Sequence, residues 1–64
     1  MIETIDRKTY LQFIREALAT EDIATVDAAN KLALSAGTID QPTYSAAAQI
    51  LVDAYWAKRD AETN

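Results

Sequence analysis

Apolar positions recur along this chain with a helical period. Tyr10, Phe13, Ile14, Ala17 and Leu18 follow one another at i, i+3, i+4, i+7 and i+8. At about 100° per residue they share one stripe. Leu11 lies at its edge, and Lys8, Gln12, Arg15 and Glu16 fall opposite. The spacing predicts a one-sided surface helix over about 6–19. Asp6 or Thr4 would cap it, since short oxygen-bearing side chains satisfy the free N–H groups of a first turn. Thr20-Glu21-Asp22 reads as a second cap followed by acids where the helix dipole favours them. It would open a helix over about 21–36, with Thr25 as the other candidate for the cap.

The strongest helix breakers fall together. The chain has one glycine and one proline, Gly37 and Pro42. Ala36-Gly37 reads as a helix end with glycine in the left-handed position beyond the cap. Asp40 reads as the next N-cap, with Gln41, Pro42 and Thr43 in the first turn, where proline's missing N–H has no intrahelical partner to lose. Ile39 and Tyr44 then occupy the positions of a hydrophobic staple. A stop set so close to a start makes two helices fold back on each other. The third helix is expected over about 41–60, followed by a frayed polar tail at 61–64. The pattern therefore predicts an all-α fold. It is a small three-helix bundle in a single domain over 1–64, with a C-terminal antiparallel helical hairpin and the first helix packed across its groove.

The second and third helices carry more apolar surface than such a bundle can cover. Ile23, Val26, Ala28, Ala29, Leu32, Ala33, Leu34 and Ala36 spread around roughly two-thirds of a helical wheel. Asp27, Lys31 and Ser35 form the remaining polar strip. Ser45, Gln49 and Asp53 repeat that strip in the third helix, with Tyr44, Ile50, Leu51, Val52, Tyr55 and several alanines around the rest. Alanine's helix propensity explains part of this excess. Ile50, Val52 and Trp56 are explained better as a partner-binding face, because tryptophan is over-represented at interface hot spots. The wheel sets Trp56 beside Gln49 and Asp53, away from Leu51 and Tyr55. The alternative is a rotated third helix whose Trp56 caps the bundle's own core against Phe13 or Tyr10.

Composition narrows the function. Sixty-four residues make one small domain, and a chain of this size buries only about 60% of the surface it exposes when unfolded. Without cysteine no disulfide can help. With neither histidine nor cysteine, the usual general base and thiol nucleophile are missing. One glycine cannot build a phosphate loop. Glu21-Asp22 is accounted for by a helix start, and a bundle this small offers little volume for a substrate pocket. The expectation is a non-enzyme with no cofactor, no metal and no small-molecule substrate. A formal charge of −4 argues against a nucleic-acid surface and against an anionic membrane surface. The opening Met-Ile-Glu-Thr-Ile-Asp lacks the basic and apolar regions of a signal peptide.

The segment from Lys31 to Tyr44, about a fifth of the chain, resembles small proteins of bacteriophage structural-gene clusters of the XkdX type. The matching positions are Gly37, Ile39, Asp40 and Tyr44, after a hydrophobic helix end. The aromatic-rich start and acidic terminal motif of that family are missing here. The resemblance implies phage origin and a virion or host-interaction role, and it assigns no site residues. Together these readings predict a protein–protein interaction or assembly module that binds itself or another protein, in the cytoplasm or associated with a virion. The alternative is a small acidic inhibitor of a basic, nucleic-acid-binding site on another protein. It rests on Glu16, Glu21, Asp22 and Asp27, in a stretch with no basic residue between 16 and 30.

Overall fold

The computed structural model describes residues 5–63 and forms three helices: α1 over Arg7–Thr20, α2 over Ile23–Ser35 and α3 over Gln41–Thr63. No strand occurs among the described residues, and the fold is a small all-α three-helix bundle. Asp6 caps α1, its carboxylate accepting from the Thr9 amide at 3.3 Å. Thr4, the other candidate, lies outside the described residues.

Thr20 does not cap α2. It is still helical, as the last residue of α1, and its hydroxyl donates back to the Ala17 carbonyl at 3.4 Å. The cap falls instead on Asp22, which has the extended backbone a cap requires, so α2 begins two residues later than expected. Thr25, the alternative, lies inside the first turn.

The connection from α2 to α3 follows the sequence closely. Gly37 has φ +80°, and its amide donates to the Leu34 carbonyl while that of Thr38 reaches back to Ala33. These two bonds make a Schellman motif. Asp40 caps α3 through the Thr43 amide at 3.0 Å. The bonds from Thr43, its hydroxyl foremost and then its amide, hold the Asp40 carboxyl below its usual pKa. Ile39 is buried in the core and Tyr44 is half-buried against that same cluster, as the staple positions require. The N-terminal half of α2 lines a groove with the C-terminal half of α3, which makes the hairpin antiparallel. The Ile5 amide donates to the Thr38 carbonyl and ties the chain before α1 to this turn.

The core consists of Tyr10, Ile14, Val26, Ile39, Ala47 and Leu51, with Leu11, Ala17, Leu18, Ile23, Leu34, Tyr44 and Ile50 packed around it. At its centre sits a polar residue that the apolar pattern does not mark. Asn30 is fully buried; its amide oxygen accepts from the Tyr10 hydroxyl at 2.8 Å, and its amide nitrogen donates to the Tyr44 carbonyl at 3.5 Å. One side chain of α2 thus holds both other helices. Burial also pushes the Tyr10 hydroxyl's pKa up. Thr43 is buried too, accepting from Arg7 Nε at 3.3 Å.

Three apolar residues turn outward, Leu32 as part of the apolar excess and the other two against expectation. Phe13 is 54% exposed and Leu32 70% exposed. Tyr10 and Ile14 fill the α1 side of the core, leaving Phe13 at the stripe's edge, where it packs on the Tyr10 ring at 6.2 Å. Tyr55, expected to turn inward with Leu51, is 48% exposed. The frayed tail at 61–64 is also overturned: α3 continues to Thr63, and Asn64 lies outside the described residues. Ala57, Lys58, Arg59, Ala61 and Glu62 are mostly strong helix formers, and no breaker interrupts them.

Two stability tests follow from this arrangement. A Cβ at Gly37 would meet nothing within 4 Å, so Gly37→Ala carries backbone strain alone. It should cost about 1 kcal/mol and lower Tm by about 4–8 °C. Asn30→Leu should cost about 2–3 kcal/mol in urea unfolding, because it leaves the buried Tyr10 hydroxyl without an acceptor. Tyr10→Phe combined with Asn30→Leu should cost less than the sum of the two single changes.

Candidate functional site

The surface that stands apart is on α3. Its 23 residues span about 34 Å, against roughly 20 Å for each of the other helices, so α3 outruns the bundle. From Val52 to Glu62 every residue except Ala54 is exposed. Intrahelical contacts support this distal half. The Tyr55 and Trp56 rings meet edge to face at 5.4 Å, the Arg59 guanidinium lies 5.6 Å from the Trp56 ring centre, and Arg59 Nη1 donates to the Tyr55 hydroxyl at 3.5 Å.

Beside this segment runs an open groove of about 800 Å³ between the start of α2 and the distal half of α3. Ile23, Ala24, Ala48, Leu51, Val52, Tyr55 and Trp56 form its apolar lining. The volume exceeds what a bundle this small was expected to offer, because α3 extends one wall without a facing helix. Asp22 and Asp27 stand on the α2 side, and Lys58, Arg59 and Glu62 on the α3 side. Asp27 pairs with Lys31 at 3.0 Å. The Asp22 carboxyl titrates below its usual range, held chiefly by the Thr25 hydroxyl and to a small extent by the field of Lys58. Among the described residues no three acidic side chains converge as a metal site would require. No helix among them is long and apolar enough to cross a membrane.

Of the three residues singled out from the sequence, Val52 and Trp56 come together on the groove, 48% and 53% exposed. Ile50 does not join them. It is half-buried and packs against the core cluster, because two residues of helix turn it about 200° from Val52. Trp56 has Tyr55 as its aromatic neighbour, and Phe13 is paired with Tyr10, so a Trp56 lid over the core is not what the chain builds. The wheel missed Tyr55 and Arg59. Their signal was spacing, since Val52, Tyr55, Trp56 and Arg59 recur at i, i+3, i+4 and i+7.

No known protein family, curated protein or solved structure matches this chain.

Trp56 is the only tryptophan, so its fluorescence reports on this surface directly. In dilute solution its emission should be that of a solvated indole, readily quenched by iodide. Trp56→Ala should leave helicity unchanged and shift stability by no more than about 0.5 kcal/mol, as an exposed position allows. A loss of fold would mean that the indole belongs to the core.

Proposed function

We propose that this protein is a non-enzymatic protein–protein interaction or assembly module that self-associates through α3. The observation that carries this reading is the exposed Tyr55–Trp56–Arg59 cluster beside the α2–α3 groove. These are the three residue types most enriched at interface hot spots, and all three side chains are exposed along one stretch of α3. Their contacts with one another support the segment only within its own helix: a lone helical segment of this length is marginal in water, and packing against a neighbour would stabilise it further. The resemblance of Lys31–Tyr44 to small phage structural-cluster proteins supports an assembly role, in a virion or on a host protein. An ordinary cytoplasmic module is the reading where the gene is not a phage's.

Sedimentation equilibrium tests the proposal. The mass should rise above the 7.0 kDa of one chain as concentration increases, and the indole emission should move to shorter wavelength in step. Trp56→Ala should weaken association by about 2 kcal/mol, roughly thirtyfold. Association should largely survive raised salt, whereas an acidic mimic of nucleic acid would lose its partner steeply. A species that remains a single chain at high concentration and captures no partner overturns the reading.

A further inference from the structure

A second groove, of about 550 Å³, runs along the other side of α2, where α1 packs against it. Phe13 and Ala17 of α1 and Val26 and Ala29 of α2 make it apolar. Glu16 and Glu21 stand on it, and its lining holds no lysine or arginine. Glu16 accepts from the neutral Gln12 side-chain amide at 3.4 Å, and among the described residues neither carboxylate is paired with a cation. The cations of α1 lie on its opposite flank. Arg7, Lys8 and Arg15 line the hollow between α1 and the start of α3, together with Asp6 and Asp40. Lys58 and Arg59 share the α2–α3 groove with Asp22 and Asp27. Acids and bases therefore stand together in both of those hollows, whereas in the α1–α2 groove the acids stand without bases. Phe13 is exposed there although it rests on Tyr10. Leu32, also exposed, follows Ala29 by three residues and extends the apolar surface along α2.

We propose that the α1–α2 groove docks a cationic amphipathic helix of a partner protein. Its large apolar side chains enter between Phe13 and Ala29, and its lysines or arginines meet Glu16 and Glu21. This surface is separate from the exposed stretch of α3, so the proposal does not depend on self-association. Shape, charge and apolar area select the occupant together. Two packed helices leave a trough that a further helix fills at an interaxial distance of roughly 8–10 Å, with its anchors at i, i+3, i+4 and i+7. From Phe13 to Glu21 the trough is about 12 Å long, a little over two helical turns. A helix laid in it takes water away from both carboxylates. A desolvated carboxylate without a counter-charge opposes binding, and an acidic partner adds like-charge repulsion. A cationic partner gives Glu16 and Glu21 the counter-charge that their own chain does not place beside them. A polycation without apolar side chains would leave Phe13 and Ala29 in water and forgo the burial that favours association. The partner therefore carries both features on one helix.

Three labelled synthetic peptides of about 14 residues, long enough to form a helix, test the proposal by fluorescence anisotropy against the full chain. The first has a leucine stripe flanked by lysines. The second replaces the lysines with glutamates, and the third replaces the leucines with serines. The first should bind one to a chain, and the other two should bind at least roughly tenfold more weakly. Phe13→Ala should weaken the first peptide roughly tenfold. Glu16→Gln combined with Glu21→Gln should do the same and flatten the salt dependence. Val52→Ala, in the α2–α3 groove, should leave the affinity unchanged; circular dichroism confirms that the variants remain helical. The proposal is overturned if the first peptide does not bind, or if either control peptide binds as well as it does. It is equally overturned if Val52→Ala weakens binding and Phe13→Ala does not. Self-association that is lost in Phe13→Ala and kept in Trp56→Ala would make a second copy the occupant, and that too overturns it.

Discussion

A single buried amide ties this bundle together. Asn30 has no exposed surface, and its two polar atoms face different helices, the oxygen toward Tyr10 of α1 and the nitrogen toward the Tyr44 carbonyl of α3. An amide taken out of water must find partners, or it costs several times what a hydrogen bond contributes net. The requirement is directional, which hydrophobic burial is not. Leucine and alanine surfaces tolerate sliding and rotation by a residue or two. The Tyr10–Asn30–Tyr44 link tolerates neither, so it selects one register from the many that an alanine-rich bundle could adopt.

That dependence explains how much the sequence disclosed. Helix existence and the second turn were legible because their signals are local. Gly37 must take a positive φ, and Asp40 and Pro42 have one natural place in a first turn. The core was only partly legible. Tyr10, Ile14, Val26 and Leu51 lie inside as periodicity says, but Asn30 and Thr43 lie inside for a reason no wheel displays. Each answers a donor contributed by another helix. Phe13 fails in the opposite direction. It belongs to the apolar stripe by spacing and is turned out because Tyr10, anchored by its hydroxyl, already occupies the space.

The candidate surface was half legible for a related reason. Trp56 and Val52 were visible as apolar residues beyond the cover a short bundle provides. Their grouping with Ile50 treated α3 as equally surrounded along its length. In fact its first half is packed and its second half is largely exposed, so Ile50, on the core-facing side, is satisfied against the core, while Tyr55, near enough to that side to suggest burial, packs on Trp56 of its own helix instead. Helical phase determines which way a residue points. Whether anything stands there depends on how far the neighbouring helices reach.

The bonds at the two ends of the bundle are unevenly distributed. At one end the Schellman turn, the Asp40 cap, the Arg7–Thr43 contact and the Ile5–Thr38 bond fasten α1, α2 and α3 within a few ångströms of one another. At the other, α1 passes into α2 through Glu21 and Asp22, and α3 runs on alone. The hydrogen bonds between elements at the Schellman end thus lie at one pole of the long axis, and the α2–α3 groove opens toward the other. A change made at the groove therefore touches few of the bonds that join the three helices at the opposite pole. By bonding alone, one small bundle divides into a cross-braced end and an end held by packing and by contacts within single helices.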